Sequence, residues 1–189
     1  MTETIWSIVV YCIKTAYTML PAVGANVAPI LMKDVSFLKY PMDFNKSIGK
    51  KRILGDHKTF RGLFFGILFA SILVTIQYFI RISFNTNWLL YDPYFNNNYI
   101  MYLLIGVGMG FGVILGDSIK SFFKRRLNIN PGEPFVPWDQ IDCALGGLLV
   151  GRIFWEYPIK FAITTILITF CLHIIIRHIA ALLGLCKRW

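Results

Sequence analysis

The run GLFFGILFASILVTIQYFIRI, from Gly62 to Ile82, decides the fold class. It carries no charge before Arg81. At about 1.5 Å per helical residue it is long enough to cross the ~30 Å hydrocarbon layer of a bilayer. Four further stretches approach the roughly 20 apolar residues that a span requires: about Ile5–Met32, Tyr99–Leu115, Ile141–Trp155 and Ile159–Leu185. The first contains Pro21, Gly24, Asn26 and Pro29. That composition predicts a kink or break in its second half and a polar partner for Asn26. The last two are separated by EYPIK (Glu156–Lys160), where Pro158 enforces a tight reversal, so an antiparallel helical hairpin is expected. The chain therefore reads as all-α: a polytopic integral membrane protein with five transmembrane helices.

Composition agrees. Of 189 residues 56% are hydrophobic, which excludes an ordinary soluble domain. The net charge of +9 is segregated between the apolar runs, the pattern of membrane loops and not of a nucleic-acid-binding face. Cys12, Cys143, Cys171 and Cys186 lie in or beside apolar runs without zinc or disulfide spacing, and read as small buried hydrophobes. The N-terminal MTETIWS has neither a basic region nor a cleavage site, so the first run is expected to stay as a span.

The loops set an orientation. Residues 33–61 carry Lys33, Lys39, Lys46, Lys50, Lys51, Arg52, Lys58 and Arg61. Residues 117–138 add Lys120, Lys124, Arg125 and Arg126, and Lys187 and Arg188 lie near the end of the chain. The segment SFNTNWLLYDPYFNNN, Ser83–Asn98, has no Lys or Arg. The positive-inside rule then places the basic loops (about 33–61 and 117–138) and the C-terminus in the cytoplasm and the N-terminus outside. Residues 1–189 read as one transmembrane catalytic domain in the cell membrane, with its charged face cytoplasmic.

The chemistry concentrates in GDSIKSFFKRRLNINPGEPFVPWDQIDCALGG, Gly116–Gly147. If the third span continues as helix, Asp117, Lys120, Ser121 and Lys124 fall at i, i+3, i+4 and i+7 on one face, with Arg125 adjoining. Asp139 and Asp142 share a face at the start of the fourth span. A lone charge at a helix end is usually an interfacial anchor. Asp142, at the start of an apolar run, is costly unless it has work to do. Three carboxylates with interleaved cations suit a magnesium–triphosphate site, where hard oxygens hold the metal and Lys or Arg neutralises phosphate. A second segment, LGDHKTFRG (Leu54–Gly62), offers Gly55 and Gly62 for close backbone approach, with Lys58, Thr59 and Arg61 as phosphate donors at a helix mouth. His57 reads as a solvated loop histidine.

These residues resemble a known family. GDSIKSFFKRR (Gly116–Arg126), followed by the paired acids of DQID (Asp139–Asp142), is similar to the signature of the membrane CDP-diacylglycerol synthases. The short loop, the PGEP run at Pro131–Pro134 and the LGDHKTFRG box are more similar still to the archaeal CDP-archaeol synthase branch. The chain departs from the bacterial signature. It lacks the Lys-Asp pair, the His-Gly-Gly run and the extra N-terminal spans, and Gln140 stands where Arg is usual. The resemblance implies a Mg2+-dependent cytidylyltransferase that joins CTP to digeranylgeranylglyceryl phosphate in the bilayer, releasing pyrophosphate. It implies Asp117, Asp139 and Asp142 as metal ligands, with Lys124 beside them in catalysis. Gly55, Lys58, Thr59, Arg61, Lys120, Ser121, Lys124 and Arg125 are implied for the nucleotide.

Two alternatives stay open on the residues alone. A CDP-diacylglycerol synthase acting on phosphatidate would need the same charges. A transporter of a phosphorylated anion would also use them, but should place ionisable groups near the bilayer midplane on several spans.

Overall fold

The computed structural model describes residues 2–49, 51–130 and 133–182. Lys50, Pro131, Gly132, Leu185, Cys186, Lys187 and Arg188, which enter the expectations above, lie outside the described residues. Helices α1 (Thr2–Thr18) and α2 (Leu20–Leu31) come first, then the two-residue strands β1 (Ser47–Ile48) and β2 (Lys51–Arg52). Helix α3 (Phe60–Phe84), the single turn α4 (Asp92–Phe95), α5 (Tyr99–Arg126), α6 (Trp138–Phe154) and α7 (Ile159–Leu182) complete the order. The antiparallel strand pair, Ser47 opposite Arg52 and Ile48 opposite Lys51, and an isolated antiparallel bridge between Pro41 and Thr59 depart from an all-α reading.

The first apolar stretch divides where its prolines predict. Pro21 opens α2, and α1 and α2 meet at a 43° bend. Asn26 finds its polar partner on another helix, where the Cys143 thiol donates to its Oδ1 at 3.1 Å. The cysteines are thus not uniformly buried hydrophobes: Cys143 bonds a side chain and Cys171 is exposed. Thr59 caps α3 by accepting from the Gly62 N–H at 3.2 Å, and Asn98 caps α5 by accepting from Ile100 N–H at 3.0 Å.

Helix α3, helix α5 and residues 159–176 of α7 are each long and apolar enough to cross a bilayer. The bent α1–α2 pair makes up to a fourth crossing. The chain is a multi-pass membrane protein. Helix α6, of 17 residues, is shorter than that length. Helix α5 runs on past the expected end at Leu115 to Arg126, so the second basic loop begins about ten residues later than the hydropathy indicates. Its charged residues are helical because the helix-ending residues come only after Arg126, at Asn128, Asn130 and Pro131.

Close helix contacts at glycine hold the bundle. A Cβ on Gly146 of α6 would lie 2.0 Å from the Gly112 carbonyl oxygen of α5, and one on Gly116 would lie 2.3 Å from the Asp142 carbonyl oxygen. Small residues let the two backbones touch where lipid supplies no hydrophobic drive. At the other end, the 85–98 segment, which has no Lys or Arg, is more than a connector. It folds back through Lys14 Nζ to Asn87 O (2.9 Å) and Leu90 N–H to Thr18 Oγ1 (3.2 Å). There Tyr91 stacks on Phe95 and meets Tyr102 and Trp155 edge-on, all four buried.

Candidate active site

Glycine packing of α5 on α6 brings two helical faces together at the end that bears the basic loops. From α5 come Asp117, Lys120, Ser121 and Lys124; from the first turns of α6 come Asp139 and Asp142. The Lys120 ammonium stands among all three carboxylates, 3.2 Å from Asp117, 3.1 Å from Asp139 and 2.8 Å from Asp142. Asp117 also pairs with Lys58 from the loop before α3. Lys124, buried, donates to Glu133 O at 2.5 Å and reaches Asp139 at 3.4 Å, while the Phe135 N–H donates to Asp139 Oδ2 at 2.7 Å. Asp142 is 6% exposed, and its Oδ2 accepts no hydrogen bond despite the ion pair to Lys120.

A polar cavity of about 270 Å³ opens beside this centre. Gly55, Lys58, Asp117, Lys120, Ser121, Lys124 and Arg125 line it, together with Arg52, Leu54, Asp56 and His57. An adjoining chamber of about 480 Å³ shares Asp56, His57, Lys58 and Asp117 and adds Lys33, Thr59 and Arg61. An apolar groove of about 380 Å³ runs between α5 and α6 and counts Lys120 and Asp142 among its lining residues. The charged centre therefore has a wet face and an apolar one.

Three of the expected phosphate donors have structural partners as well. Thr59 caps α3. Arg61 donates to Val35 O at 2.7 Å, which ties the loop after α2 to the start of α3. Gly55, at φ +98, takes a backbone conformation suited to glycine and donates its N–H to Asp43 Oδ2 at 3.2 Å. The Arg125 Nε has no hydrogen-bond partner. Gln140 is 2% exposed with both amide atoms unpartnered.

The residues that sequence reasoning missed organise the loop over the polar cavity. Asp43 accepts from Arg52 (2.7 Å) and from the backbone N–H groups of Asn45, Leu54 and Gly55. Arg126 at the end of α5 donates to Ile48 O and Arg52 O, and Lys51 donates back to Arg126 O. The only local signal was Asp43-x-Asn45, a common Asx-turn pattern that names no distant partner.

Burial works against the charged Asp43 carboxylate, but Arg52 and the three N–H donors outweigh it and hold the pKa at about 2, below the ordinary 3.8. A depressed carboxyl pKa contributes stability that is complete above the unfolded value and fades as pH falls through the folded one. Proteolysis between residues 33 and 59 should thus stay constant down to about pH 4 and rise as pH falls toward 2. An Asp43→Asn variant should be cut faster at neutral pH and lose that pH response; equal cutting of the two proteins at pH 7 would remove Asp43 from this role.

The donor chemistry fits a divalent cation. Among the described residues no group of three or more His, Cys, Asp or Glu side chains is arranged to hold a metal as it stands. Yet three hard carboxylates already surround one positive charge, and a buried Asp142 oxygen there lacks a hydrogen bond.

Comparison with known proteins places this arrangement. Residues 5–189 match the family model described as CarS-like: CDP-archaeol synthase. A CDP-archaeol synthase of Methanocaldococcus jannaschii is 32% identical over 90% of this chain and 93% of its own length. That of Thermofilum pendens is 33% identical over 88% of this chain and 76% of its own. A solved structure of an intramembrane enzyme for archaeal membrane lipid biosynthesis superposes with a TM-score of 0.66 and 26% identity, covering 85% of this chain and 90% of that one. With a match running nearly from end to end, the chain belongs to the CDP-archaeol synthase family.

Proposed function

We propose that the chain transfers CMP from CTP to the phosphate of digeranylgeranylglyceryl phosphate, forming a CDP-activated ether lipid and pyrophosphate. The observation that carries this reading is the placement of Asp117, Asp139 and Asp142 around one cation, between a basic polar cavity and an apolar groove. The family membership favours this activity over phosphatidate as acceptor and over transport. In keeping with a surface reaction, the charged centre gathers at one end of the bundle.

The lipid phosphate is already an oxyanion near neutral pH, so no strong general base is needed. One of its oxygens forms the new bond to the α-phosphorus of CTP as the bond from that phosphorus to the bridging oxygen breaks. The electron pair leaves on pyrophosphate. Lys58, Lys124 and Arg125 line the cavity where they neutralise the triphosphate and the leaving group. Asp117, Asp139 and Asp142 would hold Mg2+, which when bound supplies further neutralisation of phosphate charge. Ser121 supplies a hydroxyl along the same wall, and Gly55, without a side chain, lets the nucleotide approach the backbone there.

In the bilayer, the proposal is five spans, with α6 as the short fourth crossing, the N-terminus outside and the site at the cytoplasmic face of the cell membrane. The loop of residues 33–59 and the start of α3 would then close over the nucleotide, and the isoprenoid chains would stay in lipid. The concentration of Lys and Arg in the loops at one end and their absence from Ser83–Asn98 at the other support this orientation.

Purified protein in detergent or lipid should release pyrophosphate only when CTP, Mg2+ and digeranylgeranylglyceryl phosphate are all present, with phosphatidate a poorer acceptor. Absence of release from a folded sample with either lipid would reject the transferase reading. Within it, Lys58→Ala should raise the KM for CTP by about tenfold, the worth of one charge-assisted phosphate contact. An unchanged KM would leave Lys58 only as the counter-ion of Asp117.

A further inference from the structure

We propose that Lys120 is a resident stand-in for the divalent cation: its ammonium holds the three carboxylates together in the resting protein, and metal binding expels it into the polar cavity, where its charge serves the nucleotide. The inference rests on the reading of Asp117, Asp139 and Asp142 as metal ligands and asks how those residues are kept together without a metal.

Charge makes the case. Three carboxylates at the junction of α5 and α6 repel one another, and the glycine contacts bring the two helices close enough for that repulsion to matter. Lys120 sits 2.8–3.2 Å from each of them. With Lys58 on Asp117 and Lys124 on Asp139, three cations balance three anions. A divalent ion entering while Lys120 stayed would put two like charges within a few ångströms of each other, so one must leave. Lys120 has somewhere to go, because it lines the polar cavity along with Lys58, Lys124 and Arg125. Its side chain is 15% exposed, so the ammonium is not sealed in among the carboxylates. The exchange also orders the reaction. An expelled ammonium adds positive charge to the cavity at the moment the metal arrives, so metal and triphosphate each favour the other's binding.

The test measures Mn2+ binding to the full-length protein in detergent, without substrate, for the wild type, Lys120→Gln and Asp139→Asn. Removing the competing ammonium should tighten Mn2+ binding in Lys120→Gln by at least about tenfold, although the same variant loses turnover. Asp139→Asn should weaken it. If Mn2+ binding depends on Asp139 but is equal or weaker in Lys120→Gln, the stand-in role is overturned and the metal reading survives. If no protein binds Mn2+ in an Asp139-dependent way, the metal reading fails and takes this inference with it. A measurement on the wild type covers the case in which Lys120→Gln does not fold. Acetylation of Lys120 followed by mass spectrometry should rise on saturation with Mn2+, as the amine moves into the open cavity, while Lys33 labelling stays level. Unchanged Lys120 labelling at saturating Mn2+ would overturn the proposal.

Discussion

Asp142→Asn is expected to abolish pyrophosphate release, by at least about 10³-fold, while the protein stays folded and membrane-inserted. Asn keeps the volume of the side chain and removes only its charge. Lys120 keeps Asp117 and Asp139 as ion-pair partners when Asp142 is neutralised, so the change leaves no unpaired cation in the centre. The burial of Asp142, at 6% exposure, is a standing cost to the fold that only a cation nearby offsets. Asp139→Asn should have a comparable effect on rate, with an added cost to the turn before α6, because Asp139 also accepts from the Phe135 N–H. The measurement is turnover at saturating CTP, Mg2+ and lipid, beside a melting curve in detergent. Near-normal turnover in both variants would remove these aspartates from the catalytic machinery.

Gly146→Ala is expected to lower turnover by about 10²-fold without touching any charged residue, since a displacement near 1 Å is enough to misplace reacting groups. The new Cβ would stand 2.0 Å from the Gly112 carbonyl oxygen and 3.0 Å from Gly116 Cα. Both are backbone atoms, so neither can turn aside, and α5 must separate from α6. Asp117 and Lys120 ride on one of those helices and Asp139 and Asp142 on the other, so the separation opens the centre directly. Gly151→Ala on the same helix is the control. A Cβ there meets nothing within 4 Å, and alanine is the better helix former by about 1 kcal/mol, so activity and melting temperature should hold or rise. Equal behaviour of the two variants would mean that close α5–α6 packing does not position the site.

Much of this was legible in the order of residues. Hydropathy marks the long helices because a bilayer span must satisfy its own backbone and present apolar side chains, a requirement that leaves a long, local imprint. The break at the start of α2 follows from Pro21, whose ring dictates its own backbone angle wherever it occurs. The chemical types in the site were likewise visible, since Asp117 to Lys124 share a helical face by periodicity alone and Asp139 and Asp142 by theirs.

What tertiary structure decided was which of those faces meet. That Asp117, Asp139 and Asp142 all face Lys120 depends on glycines of α5 lying against Gly146, a contact across some thirty positions that no local rule encodes. Asp43 looked like an ordinary turn residue, and only the folded loop sets it against Arg52, Leu54 and Gly55. The role of Cys143 as the partner of Asn26 was hidden for the same reason. Periodicity is a property of neighbours along the chain and survives in the sequence. Pairing between faces depends on how closely two backbones can approach, and that is settled only when all the helices pack together.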